Sequence, residues 1–130
     1  MSVNLSGKTL FSIVESPGHP NFPGLYSRLE LNEVKFVSMR QAMKALEKQT
    51  PDFVVTEFFY GYGSNYAGVN LSNLDVFLSS LQKYAPQARV LVVADRSDQE
   101  HVARLGELFD IDSVLLRPVS EQRLVAALNQ

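Results

Sequence analysis

The segment at residues 51–61, PDFVVTEFFYG, constrains the whole chain, because its apolar run does not alternate and it ends in a carboxylate. Phe53, Val54 and Val55 are consecutive, the pattern of a strand covered by helices on both faces. Pro51 and Asp52 punctuate its start, Glu57 stands where the run would leave the core, and Gly61 and Gly63 follow within a loop. In an open parallel sheet, ligands bind at the carboxyl ends of the strands. Glu57 is therefore the first candidate site residue.

The 130 residues, 45% of them hydrophobic, make one domain (1–130) that can bury a core without disulfides or metals. Twelve basic and fourteen acidic residues give a net charge of -2 with no basic run, which argues against a nucleic-acid surface. The absence of cysteine removes a disulfide framework, a thiolate zinc site and a thiol nucleophile. The opening residues, MSVNLSGKTLFSIV, lack a charged region followed by a sufficient apolar stretch, and no later run approaches a membrane span. The expectation is a soluble, cytoplasmic protein.

A first strand is expected at 8–15, KTLFSIVE, also ending in an acidic residue, Glu15, followed by Ser16. Prolines 17, 20 and 23 delay the first helix to 23–31, with Phe22, Leu25 and Leu29 inward. A short strand follows at 34–37, then a helix at 39–49 capped by Ser38 and burying Ala42, Met43 and Leu46. After the central strand comes an aromatic, glycine-rich loop at 58–70. Helical periodicity returns at 71–84 through Leu74, Phe77, Leu78 and Leu81, and Pro86 marks its end. A fourth strand is expected at 89–94, and Ser97 with Glu100 has the spacing of a capping box for a helix at 98–109. That helix should bury Val102, Leu105 and either Leu108 or Phe109. A fifth strand at 113–116 closes on Arg117 and Pro118, and Ser120 caps a last helix with Leu124, Val125 and Leu128 inward. Strands alternating with helices five times require crossover connections and hence a parallel sheet. The expected fold is α/β, a three-layer flavodoxin-like five-stranded parallel sheet with helices on both faces.

Over nearly its whole length the chain resembles the receiver domain of the two-component response regulators. Pro51-Asp52, followed by apolar residues and a carboxylate, is similar to the family's third strand; Gln41-Ala42-Met43 resembles its second helix, and Arg117-Pro118 its Lys-Pro after the fifth strand. The departures fall on the residues that carry the family's chemistry. Its paired aspartates correspond to Glu15 and Ser16, its phosphoacceptor aspartate to Glu57, its Thr or Ser to Ala94 and its lysine to Arg117. Its fifth-strand aromatic corresponds to Val114, and the loop after Glu57 is longer than usual. The resemblance is to a degenerate, or pseudo, receiver.

The chemistry explains why these changes matter. Receivers hold Mg2+ through carboxylates, a main-chain carbonyl, waters and the phosphoryl group, and this ion demands near-octahedral geometry at about 2.0–2.1 Å. Ser16 removes a ligand. The extra methylene of Glu57 displaces its oxygens by roughly 1 Å, a misplacement that can cost on the order of 100-fold. Ala94 offers no hydroxyl, and the Arg117 guanidinium is a planar fork rather than a movable point charge. Glu15 and Glu57 are the residues a divalent cation would meet, but close carboxylates are more often paired with arginine or water. No resident metal, no cofactor and no enzymatic activity are expected.

Glu57 and Arg117 either form a bidentate ion pair at the sheet edge or solvate separately in a cleft. The loop residues Phe58, Phe59, Tyr60, Tyr62 and Tyr66 either pack over that cleft or present a recognition surface for a partner or ligand. Neither GYGSNYAG nor its flanks carry a phosphate-binding glycine motif. His19 and His101 lie in no ligand-spacing pattern, and Asp95 and Ser97 suit turns and caps. By resemblance, the fourth helix, fifth strand and fifth helix form a face for a protein partner or a homodimer. With the chain ending at Gln130, just after the fifth helix, any effect is expected to pass through such a partner. The functional expectation is a phosphorylation-independent signalling and protein-interaction module. The alternatives are an atypical regulator still modified by a histidine kinase or metal-bound at Glu57, and a small-ligand sensor using the 58–70 loop.

Overall fold

A computed structural model describes residues 5–14, 22, 24–58 and 74–129. Its elements run β1 (Thr9–Ile13), α1 (Leu25–Arg28), β2 (Asn32–Phe36), α2 (Met39–Leu46), β3 (Phe53–Glu57), α3 (Leu74–Tyr84), β4 (Arg89–Ala94), α4 (Gln99–Leu108), β5 (Ser113–Leu116) and α5 (Glu121–Leu128). The five strands form one parallel sheet in the order β2-β1-β3-β4-β5. This is the expected three-layer α/β arrangement.

Alternation along each strand separates two cores. Phe11, Val54, Val92 and Ala94 point to the side covered by α2, α3 and α4, where they meet Ala42, Phe77, Val102 and Leu105. Leu10, Val55, Val93 and Leu115 point the other way, toward Leu25 of α1 and Leu124 and Leu128 of α5. Every residue of β3 is buried, as the non-alternating run requires. At the amino ends of the strands, Asp52 accepts a hydrogen bond from Thr9 N (2.9 Å) and Asp112 one from Val90 N (2.6 Å). These carboxylates satisfy strand-end donors that the ladder leaves open.

The helix caps explain which boundaries match the expected ones. Ser38 accepts from Gln41 N at 3.2 Å while the Gln41 side chain reaches back to Val37 N, and Ser120 accepts from Arg123 N at 3.2 Å. Ser97, by contrast, caps nothing: Arg96–Asp98 forms a 3-10 turn, and α4 starts at Gln99 without a side-chain cap bond. At its other end Leu108 is 71% exposed and Phe109 packs on the core. α2 stops at Leu46, short of residue 49. β2 begins at Asn32 rather than 34 and ends at Phe36, because ladder pairing with β1 overrides the poor strand propensity of Asn32, Glu33 and Lys35 on an edge. Val37 is accordingly exposed. α1 is a single turn instead of the expected helix at 23–31, since Glu30 takes φ 59 and turns the chain into β2. Residues 71–73 of the expected third helix and Glu15 of the first strand lie outside the described residues.

Tyr26 of α1 packs beside the α1/α5 core, but its buried hydroxyl finds no hydrogen-bond partner among the described residues. Burial, and then the nearby Glu33 carboxylate, push its ionisation above the ordinary tyrosine value of 10.0. The folded protein keeps this proton where the unfolded chain releases it, so stability falls as pH rises past about 10. Tyr26→Phe removes the unmatched hydroxyl and should raise the unfolding free energy by about 1 kcal/mol at neutral pH. In urea titrations at several pH values, the advantage of Tyr26→Phe should widen above pH 10.

Candidate functional site

The carboxyl ends of β3, β4 and β5 bring together three charged side chains. Glu57 is in register with Val93, and Val93 with Leu115. Asp95 lies two residues beyond Val93 and Arg117 two beyond Leu115, so strand alternation sends Glu57, Asp95 and Arg117 to the same side of the sheet. The backbone continues this alignment past the strands, with Phe58 N donating to Val93 O at 2.8 Å and Arg117 N to Ala94 O at 3.0 Å. The peptide bond that follows, Arg117-Pro118, is cis.

The Glu57 side chain is 0% exposed. Arg117 Nη2 donates to Glu57 Oε1 at 2.9 Å, and Arg117 Nη1 donates to Asp95 Oδ1 at 3.1 Å. The guanidinium therefore spreads its fork over two carboxylates, Glu57 and Asp95. Its two arms differ in environment: the Arg117 side chain is 16% exposed and that of Asp95 53% exposed. The inner arm stabilises a charge taken out of water, where desolvation would otherwise cost several kcal/mol. The outer arm is open to solvent and screened by salt.

Ala94 alternates to the opposite side, where it is fully buried in the core with Val102 and Leu105. Phe58 also belongs to that core, at 0% exposure, which removes it from any recognition surface. The reason is parity, since Val54, Thr56 and Phe58 continue one alternating row. Glu15, Ser16, Phe59, Tyr60, Tyr62, Tyr66 and His19 lie outside the described residues. His101 on α4 is half-buried, and Val114 on the edge strand is 38% exposed. No group of three or more His, Cys, Asp and Glu side chains with metal-holding geometry occurs among the described residues. Asp95 is the member that turn and cap propensities conceal; counting strand parity two residues past Val93 finds it.

No protein-family model and no curated protein matches this sequence. Solved structures do match it. A signal receiver domain of an HD domain-containing protein from Pseudomonas fluorescens Pf-5 superposes with a TM-score of 0.69 at 16% identity, covering 93% of this chain and 90% of that one. The chain has the receiver-domain fold. An uncharacterized protein from Neptuniibacter caesariensis gives a TM-score of 0.72 at 19% identity over 96% of this chain and 87% of that one. A streptococcal protein, from a family of redox sensors evolved from two-component response regulators, gives 0.72 at 16% identity; it covers 94% of this chain, which spans 49% of that one. The charged fork thus stands at the carboxyl edge of a receiver-like sheet. No helix among the described residues is long and apolar enough to cross a membrane.

The asymmetry of the fork gives a stability prediction. Arg117→Ala withdraws the guanidinium from a fully buried carboxylate and should lower the unfolding free energy by about 3 kcal/mol. Asp95→Ala, which removes only the exposed arm, should cost less than about 1 kcal/mol. Urea denaturation of the two variants beside the parent chain measures the difference.

Proposed function

We propose that the protein is a receiver-like signalling module that works by protein interaction and without phosphorylation, and that it is not an enzyme. The observation that carries this reading is the burial of Glu57 beneath Arg117 at 2.9 Å. A phosphoacceptor must expose an oxygen to a phosphoryl donor and a metal ion, whereas this carboxylate has no solvent-exposed surface. Its Oε1 already accepts a charged hydrogen bond. The pair holds the sheet edge in one arrangement without an added group, and the signal is carried by the presence or conformation of the module itself. The streptococcal neighbour, described as a redox sensor evolved from response regulators, is consistent with receiver-like folds serving signals other than phosphotransfer. This chain has no cysteine, so thiol chemistry is closed to it.

The partner surface in this reading is the face made by α4, β5 and α5, open to another protein or to a second copy of the chain. Leu108 on α4 and Val114 on β5 expose apolar surface there, at 71% and 38%. Titration with Mg2+ and beryllofluoride, followed by backbone NMR at Glu15, Glu57, Ala94 and Arg117, tests the central element. No saturable shift is expected. Saturable shifts that vanish in Glu57→Ala would show that the edge still recognises a phosphoryl group and would overturn the reading.

A further inference from the structure

We infer that Arg117 and Asp95 act as a latch that fixes where α4 begins, so that the buried Glu57 is linked to the position of the helix through the Arg117 guanidinium. Asp95 is the first residue after β4 and leads directly into the Arg96–Asp98 turn and α4. Its backbone carbonyl accepts from Asp98 N at 2.9 Å, which closes that turn. Its side chain makes no capping bond to the turn, and points its carboxylate at Arg117 Nη1. The opening of α4 carries no side-chain cap either. α4 therefore enters without the local anchor that Ser38 gives α2 and Ser120 gives α5, and the tether from β5 takes that role. Arg117 is suited to it because a planar fork has two separate donor edges, one for the buried carboxylate and one for the exposed one. Arg117 and Asp95 are positioning residues in this arrangement. The latch stands whether or not the edge recognises a phosphoryl group: beryllofluoride binding decides the latter, and amide exchange decides the former.

Hydrogen exchange on the full chain, read at the amide of Asp98 and in the first turn of α4, tests the latch. Asp95→Ala should speed exchange there about two- to fivefold, the scale of an exposed ion pair, with Val55 in β3 and Leu124 in α5 unchanged. Arg117→Lys, whose point charge is expected to remain with buried Glu57, should produce the same local loosening. The double variant should exchange no faster than either single one, and Asp95→Glu should restore protection. The double variant matters because Asp95 also favours the positive end of α4 by its charge alone, a contribution that would persist in the Arg117→Lys background and add. Unchanged exchange in Asp95→Ala, loosening spread equally to Val55 and Leu124, or additive effects in the double variant would each overturn the latch.

Discussion

A carboxylate with no exposed surface at the end of the central strand sets a condition that the rest of the sheet edge has to meet. Left without a countercharge, it would cost several kcal/mol, a large part of a typical domain's net stability. The countercharge comes from two strands away. With neighbouring strands about 4.8 Å apart, a side chain on the far side of β4 must span close to 10 Å together with its partner. Arginine and glutamate each reach further than the lysine and aspartate of the pattern this chain resembles. Glu57 and Arg117 meet over β4 at 2.9 Å. Ala94 does not obstruct them, because its methyl is turned into the opposite core.

Much of this fold is legible in the sequence wherever a single physical cause dominates. The apolar runs of β3 and β4 read as buried strands because they are short, rich in valine and bounded by turn residues, and Ser38 and Ser120 announce their helices because a hydroxyl is placed to bond the third amide after it. The failures occur where two causes compete. Ser97 and Glu100 have the spacing of a capping box, yet the chain leaves β4 through a 3-10 turn that holds Ser97 and puts Asp98, not Ser97, at the cap position of α4. Asn32, Glu33 and Lys35 are poor strand formers, but the edge strand is decided by its ladder with β1. The short α1 reflects the left-handed turn at Glu30, which the side chain itself gives no reason to expect.

The candidate site divides in the same way. Glu57 and Arg117 can be found because both stand where an apolar strand ends, and the sheet topology makes those ends neighbours. Their geometry is not in the sequence: whether the pair of Glu57 and Arg117 stands alone or is shared with a third carboxylate depends on the position of Asp95. Asp95 hides behind its own propensity, since aspartate after a strand is common in turns for reasons unrelated to its charge. Phe58 shows the converse. Composition groups it with the aromatic residues that follow, while alternation from Val54 and Thr56 assigns it to the core.

Accepting a phosphoryl group and anchoring a guanidinium make opposing demands on a carboxylate. To accept a phosphoryl group, an acidic side chain must meet water, a metal ion and a donor, which requires exposure and an oxygen held free. To anchor a guanidinium inside the fold, it must meet none of these, and its value rises as solvent is excluded. Glu57 occupies the second condition, with its oxygen engaged at 2.9 Å and its surface wholly covered. A reagent approaching it would first have to move Arg117, and moving Arg117 also withdraws the group that holds Asp95 at the entrance to α4. In such an arrangement the charge is a structural element of the sheet edge, and any change that reaches it is transmitted to the helix surface beside it.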